Sequence, residues 1–133
     1  MTPMSFDVVR QSVESEIKGN WLATPVEYEN TELDKSNLNE YISVNIIDNS
    51  AKQATLGENG SYIIVGVVVV SIFTPNGIGS SRSRVLADGI SNIFRAKKIG
   101  GLTFKVPKGY RVRSDSSYYQ YNVAIPFYAF FNL

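Results

Sequence analysis

A segment rich in glycine and serine, residues 77–81 (Gly-Ile-Gly-Ser-Ser), comes nearest in composition to a loop that could bind phosphate. It stands between an apolar run and a helical pattern, the context in which the N–H groups of a helix N-terminus bind anions. Arg82 occupies the place of the third glycine of a dinucleotide fingerprint, and the lysine of a P-loop is missing. We therefore interpret the segment as a turn and a helix cap, and we expect no cofactor.

The chain of 133 residues contains neither histidine nor cysteine. Histidine titrates near neutral pH and is the commonest ligand of transition metals, so its absence excludes imidazole-based triads and zinc hydrolase sites. The absence of cysteine excludes disulfides, thiolate metal sites and thiol nucleophiles. Ser80, Ser81 and Ser83 have no histidine to activate them, and the twelve carboxylates include no evident catalytic pair. The sequence predicts no catalytic residue, no metal site and no enzymatic activity.

Basic and acidic side chains nearly balance, with 13 against 12 and a formal net charge of +1. Such a balance gives no attraction of the whole domain to nucleic acid or to an anionic membrane, so we expect protein partners. Arg82 and Arg84 lie in the first turn of a predicted helix, where positive charge opposes the helix dipole. They are either solvated or paired with an acidic patch on a neighbouring molecule, and the sequence leaves both interpretations open.

A locally basic segment with neighbouring tyrosines could stack on nucleic acid. The segment contains Lys105, Lys108, Arg111 and Arg113 with Tyr110, Tyr118 and Tyr119. A solvated loop is the favoured interpretation, and contact with DNA that passes through a ring stays open.

No membrane or export segment is visible. The most apolar stretch, residues 63–73, is 11 residues long and contains Gly66 and Ser71, whereas a spanning helix needs about 20 apolar residues. The first ten residues lack a basic start followed by an apolar run. We expect a buried strand at 63–73 and a protein that stays in the cytosol unless a larger assembly carries it out.

Hydrophobic periodicity predicts two helices and five strands. The helices are expected at 5–18 and 81–98, the second capped by Ser80 or Ser81, and the strands at 26–29, 41–47, 62–73, 102–106 and 118–131. Loops are expected at 48–60 and 107–117. Two helices can cover one face of such a sheet. The sequence therefore predicts one α+β domain over 1–133, with a mainly antiparallel five-stranded sheet and two helices packed on one face.

The two longest strands are longer than the domain itself. A compact domain of this length is roughly 36 Å across, whereas strands of 12 to 14 residues reach roughly 40–48 Å. They must bend, bulge or project toward a neighbouring subunit. The last strand carries aromatic side chains on both faces, which fits either a central strand buried on both sides or an oligomer interface, where aromatics are enriched, and Pro126 favours the interface. Pro126 within it predicts an edge strand or a bulge.

From Ile72 onward the chain is similar to the tail-terminator-like family of long-tailed bacteriophages. The similarity rests on residues 73–79 (FTPNGIG), 87–90 (ADGI), 93–94 (IF), 101–104 (GLTF) and 119–127 (YQYNVAIPF). The family pattern is a strand, a Thr-Pro-x-Gly-x-Gly turn, a helix with Ala-Asp-x-Ile, a short Gly-x-x-Phe strand and a closing Val-x-Ile-Pro-Phe strand. The helix at the start and the total length also fit.

The resemblance implies a ring, expected to be a hexamer, at the head-proximal end of the tail in the virion, assembled in the host cytoplasm. Such a ring stops polymerisation of the tail tube protein and presents a docking surface to head-completion proteins of the neck. DNA would pass through its lumen without specific binding. The alternatives are a neck or head–tail joining protein and, from another class, a small-molecule-binding or enzymatic α+β domain.

Two sets of residues are predicted to carry the assembly. The oligomer interface is expected to contain Arg82, Arg84, Tyr121, Phe127, Tyr128 and Phe130. The loops that dock partners are expected to contain Lys52, Gln53, Leu56, Glu58, Lys108, Tyr110, Arg111 and Arg113.

Overall fold

The computed structural model describes residues 5–53, 61–112 and 117–132, with backbone only at 50, 52, 53, 61 and 132. These residues form an α+β fold, as predicted. In chain order its elements are α1 (Phe6–Asn20), β1 (Val26–Glu27), β2 (Tyr41–Gln53), β3 (Ser61–Pro75), α2 (Ser81–Phe94), β4 (Lys98–Ile99), β5 (Leu102–Phe104), β6 (Lys108–Val112) and β7 (Tyr118–Asn132).

The strands form one mixed sheet in the order β1-β2-β3-β7-β5-β4, and β6 also pairs with β7. β1 runs parallel to β2, and the other pairs are antiparallel. The described residues thus hold seven strands, and the prediction of five was wrong. β4 has two residues, and β6 is exposed along nearly its whole length, so neither shows the apolar alternation by which strands are recognised.

β2 continues through the segment that was expected to begin a loop. The predicted strand ended at residue 47, but Ser50 to Gln53 pair with Val65 to Tyr62 of β3. A register shift between Asp48 and Ser50 marks a β-bulge, which bends a strand. The predicted loop 48–60 therefore begins too early. The polar residues from Asp48 to Gln53 belong to a strand near the edge of the sheet.

The first helix matches its prediction closely. The Ser5 hydroxyl accepts a hydrogen bond of 3.1 Å from the N–H of Val8 and caps the helix. The apolar stripe of Val9, Val13 and Ile17 is buried. α1 ends at Asn20 rather than residue 18, because the helical hydrogen bonds continue to the N–H of Trp21.

The second helix ends four residues before its predicted end. Lys97 and Lys98 were expected in its last turn, but Ala96 has φ of +54° and Lys98 begins β4. Lys97 nevertheless reaches the helix end, since its Nζ donates to the Asn92 carbonyl at 2.9 Å. At the other end, Ser80 occupies the cap position but its side chain makes no capping hydrogen bond.

Pro126 lies in a strand that is paired on both sides, and the prediction of an edge or a bulge was wrong. Its carbonyl accepts from the N–H of Lys105 at 2.8 Å, so the side of the residue that lacks an N–H also faces β5 and β6. There the pairing with β6 stops at Ala124 and that with β5 begins at Phe127. Proline therefore costs no ladder hydrogen bond at this gap.

Both helices pack on the same face of the sheet. Alternate residues of β7 from Tyr121 to Phe131 join one buried cluster with the apolar stripes of α1 and α2. β3 contributes Ile64, Val68, Val70 and Ile72 to the same cluster. The opposite face, which we call the outer face, carries no helix of the described chain.

Candidate functional site

The outer face of the sheet is apolar along its centre. Ile63, Val65, Val67 and Val69 of β3 alternate with the core residues and are only half-buried. Ile47 and Phe130, at the two sides of this strip, are 47% and 56% exposed. An apolar surface of this kind, bordered by polar residues, is typical of a protein interaction site.

Tyr128 and Phe130, both predicted at an oligomer interface, lie on the outer face. Their ring centroids are 6.0 Å apart in an edge-to-face arrangement. The Lys105 Nζ stands 5.8 Å above the ring of Tyr128. The contact between the two rings and the Lys105 ammonium group hold these side chains in place. Part of their surface is not covered by any described residue.

Tyr121 and Phe127, predicted at the same interface, lie on the core face instead. Phe127 has no exposed area, and its ring lies 5.9 Å from that of Phe104. Tyr121 is 8% exposed. Neither has the free surface that a partner would need. Their contribution is to hold β7 against the helices and so position Tyr128 and Phe130.

The two arginines at the start of α2 are engaged within the chain. Arg82 forms a two-point ion pair with Glu40, with donor–acceptor distances of 2.6 and 3.0 Å, and this carboxylate raises the pKa of Arg82. The Arg84 guanidinium lies 5.2 Å from the ring centre of Tyr121. The expectation that Arg82 pairs with a neighbouring molecule is therefore unnecessary. Glu40 is 42 residues away in sequence, so no local pattern could reveal it.

Three of the four predicted docking residues of the segment 107–117 lie on a strand. Lys108, Tyr110 and Arg111 belong to β6 and are exposed. The Arg111 guanidinium is 5.7 Å from the ring centre of Tyr119, and the Tyr110 hydroxyl accepts from Asn122 Nδ2 at 3.4 Å. The remaining predicted docking residues fall into two groups. Lys52 and Gln53 are on β2, whereas Leu56, Glu58 and Arg113 lie outside the described residues.

No site for a small ligand stands out in the described ranges. The depression between α2 and β6, lined by Asp88, Ser91 and Gly109 among others, has a volume of about 160 Å³. Another, between α1 and β2, has about 140 Å³. Ligand pockets usually measure about 300–1,000 Å³. A third, of about 340 Å³, is open and lined by loop residues such as Asn39 and Pro75.

The shifted pKa values have structural causes. Glu27 raises the pKa of Lys35 through a hydrogen bond of 2.8 Å, and Arg10 lowers that of Asp7. Burial raises the pKa of Tyr28 and Tyr41.

Between residues 5 and 132, outside the two gaps, no group of three or more acidic side chains could hold a metal ion. No helix of the described chain is long and apolar enough to cross a membrane.

One comparison with known proteins identifies a family, and a second supports the fold. A family model described as phage tail terminator protein matches residues 8–127, most of the chain. A solved structure that is 20% identical in sequence superposes with a TM-score of 0.63, covering 98% of this chain and 96% of the other. At that identity the likeness shows the fold alone. No curated protein matches the chain.

Proposed function

The chain belongs to the phage tail terminator protein family, and we propose that it caps the tail tube as a ring of identical subunits, with six as the expected number. The family match over residues 8–127 is the observation that carries this proposal. Membership gives the chain a role in phage tail assembly and a place in the virion among tail and head components. The proposal adds its position at the head-proximal end, reached by assembly in the host cytoplasm.

The proposed mechanism uses surface complementarity and no bond-making chemistry. One face of the ring binds the last ring of tail tube protein and prevents further subunits from adding. The other face binds a head-completion or neck protein. DNA passes through the lumen without specific contacts. We propose that the whole chain, 1–133, serves as this single assembly unit and has no enzymatic activity.

The apolar outer face supports an assembled rather than a solitary protein. Phe130 and Ile47 expose about half of their area, and Tyr128 is held edge-on beside Phe130. Burial of apolar surface stabilises a complex by roughly 25 cal/mol for each Å² removed from water. A subunit that keeps this strip uncovered gains most by placing it against a neighbour or a tube subunit, so we assign Tyr128 and Phe130 to contacts between proteins.

The docking surfaces are proposed at the polar ends of the sheet. Tyr110 of β6 is exposed there, and Lys108 and Arg111 beside it are exposed to a docking partner or to a neighbouring subunit. The second proposed docking surface consists of the end of β2 and the residues that follow it in the sequence. The proposed docking residues there and in the basic segment are Lys52, Gln53, Leu56, Glu58 and Arg113.

Deletion of the gene from the phage that encodes it tests the proposal. Without a terminator, tubes grow past their normal length and do not join heads, and the gene supplied in trans restores tails of uniform length. Electron microscopy of lysates measures both. Tails of normal length that are detached from heads would instead assign the chain to the neck. Normal, infectious particles would contradict both roles.

A further inference from the structure

The nearly neutral net charge conceals a strong separation of charge along the chain. Residues 5–53 contain nine acidic and four basic side chains, a net charge of −5, whereas residues 81–112 contain one acidic and eight basic, a net charge of +7. Between these two groups in the sheet lie β3 and β7, which contain no charged residue at all.

The sheet converts this separation in sequence into a separation in space. β1 and β2 form one side of the sheet, and β4, β5 and β6 lie on the other side of the neutral pair β3 and β7. At about 4.8 Å per strand, β2 and β6 are roughly 14 Å apart along the sheet, and β1 and β4 roughly 24 Å. The Debye length at physiological salt is about 8 Å. The two sides therefore act on a partner as separate charged surfaces.

The acidic edge is defined here by Glu29, Glu32 and Asp48, all exposed. The Glu29 carboxylate accepts the N–H of Ile46 and so lies directly against β2. Glu32 belongs to a segment anchored beside β1, because the Thr31 N–H bonds the Tyr28 carbonyl and Lys35 pairs with Glu27. Asp48 stands at the bulge of β2.

The basic edge is defined here by Lys98, Lys105, Lys108 and Arg111, which are also exposed. Within the described ranges, the only ion pairs are Arg10 with Asp7 and Glu14, Lys35 with Glu27, and Arg82 with Glu40. None involves the basic edge or the three carboxylates of the acidic edge. Both surfaces are thus open to a partner of opposite charge.

We propose that the acidic edge of one copy binds the basic edge of the next, head to tail. The chain itself supplies both complementary surfaces, and a contact between two different surfaces of one protein repeats around an axis and closes into a ring when the rotation between copies divides a full turn. A two-fold contact through either edge would instead oppose like charges, which costs several kcal/mol. The inference rests on the proposed ring and specifies which surfaces form its subunit boundaries.

The backbone of both edges is consistent with this contact. β1 pairs with β2 only at Ile42 and Ser43, so the outer side of β2 beyond Ser43 has no partner strand in the described chain. β6 has β7 on one side and no described strand on the other. Apart from the Ile46 N–H, which bonds Glu29, the N–H and C=O groups at these edges are a template for pairing with a second chain, and the opposite charges would fix which edges meet.

The test reverses one edge at a time and then mixes the products. Glu32→Lys with Asp48→Lys makes the acidic edge net positive, and Lys98→Glu with Lys108→Glu and Arg111→Glu makes the basic edge net negative. Sedimentation at low salt should show that each reversed protein self-associates at least about tenfold more weakly than the unmodified chain. An equimolar mixture should recover association, because the two proteins alternate around a ring with an even number of subunits. Recovery would also show that both reversed proteins are folded.

The matched control changes the same net charge elsewhere. Glu16→Lys with Gln11→Lys and Ser15→Lys makes the same change of +4 on α1, outside both edges, and should associate as the unmodified chain does. Association should also weaken between 50 and 500 mM salt, because exposed charges are screened.

Three results would overturn the inference: an unmodified chain that stays monomeric at low salt, equal losses in the control, or no recovery on mixing. Loss on reversal of the basic edge alone would assign that edge to a different acidic partner, and would likewise overturn it. The assay uses no tail. A negative result in sedimentation would therefore leave the proposed role in tail assembly standing. If association depends on the edges but deletion of the gene leaves tail length unchanged, the role is wrong and the contact between copies is retained.

Discussion

Two fully buried hydroxyls near the start of α2 differ in whether they have a partner. The Ser83 hydroxyl donates to the Ser80 carbonyl at 2.9 Å, inside the first turn of the helix. The Thr74 hydroxyl has no hydrogen-bond partner in the described structure, although Thr74 has no exposed area. A buried polar group without a partner loses its hydration and gains nothing in return. These two residues therefore make opposite contributions to stability.

Thr74→Val should leave the fold unchanged and raise the free energy of unfolding by up to about 1–2 kcal/mol, because the same shape is kept and the unpaired hydroxyl is removed. Ser83→Ala is the matched control and should lower it by about 1 kcal/mol, since a made hydrogen bond is lost. Chemical denaturation of both variants provides the measurement. A Thr74→Val protein less stable than the unmodified chain would show that this hydroxyl has a partner in solution.

The sequence reveals local residue roles and misses those that depend on distant partners. The Ser5 cap and the stripe Val9, Val13 and Ile17 were predictable because their signals lie within one helix. Arg82 was assigned two possible environments, and neither was its pairing with Glu40, which the fold brings to it from another element. Burial of Phe127 rather than exposure follows from which face of β7 meets the helices.

At the scale of elements, the close crossing of β2, β3 and β7 depends on Gly66. A Cβ at this position would lie 2.6 Å from the Ile47 carbonyl oxygen and 2.7 Å from Cζ of Phe127. The first contact is with backbone and cannot be relieved by a rotamer change. Gly66 stands one residue pair from Ile47, next to the bulge that bends β2.

Gly66→Ala should lower the free energy of unfolding by about 1–3 kcal/mol, since an added methyl group in a filled site forces neighbours to move. Gly19→Ala adds the same methyl group near the end of α1, where nothing lies within 4 Å, and should be neutral or stabilising by up to about 1 kcal/mol. Thermal unfolding of both variants compares them directly. If the Gly66→Ala and Gly19→Ala variants unfold at the same temperature, the space around Gly66 is larger than these distances indicate.

Strands with clear periodicity were predictable and polar ones were not. β3 and β7 were recognised from their apolar runs. The prediction for β3, 62–73 against Ser61–Pro75, was one residue short at the start and two at the end, and that for β7, 118–131 against Tyr118–Asn132, was one residue short. β4, β6 and the second half of β2 lack a hydrophobic pattern because they lie at or near the edges of the sheet, where pairing rather than burial makes them strands. The described docking residues that were placed in loops, Lys52, Gln53, Lys108, Tyr110 and Arg111, are consequently on strands.

At the scale of the whole molecule, no helix of the described chain covers the outer face of the sheet. Two helices and one core account for the opposite face, and the apolar strip with Phe130, Tyr128 and Ile47 has no structural role in the described chain. The family assignment offers a reason for keeping such a strip, since a protein of phage tail assembly works in contact with copies and partners.

Phe130→Ser should leave the stability of the subunit nearly unchanged and weaken its assembly, because Phe130 contributes little to the core and much to the outer face. Ile78→Ser is a matched control with 57% exposure against 56%, in the turn before α2. Denaturation gives the stability of each variant and sedimentation gives its association. Assembly that is equally affected by both substitutions would remove the outer face from the account.

The measurement that tests the central claim most directly is the length of tail tubes grown from the phage's own tube protein in the presence of the purified chain. The account predicts that the chain binds one end of each tube, and that mean tube length falls as its concentration rises while the tubes stay intact. Tubes of unchanged length with folded chain in excess, or chain bound along the tube walls instead of at an end, would contradict it.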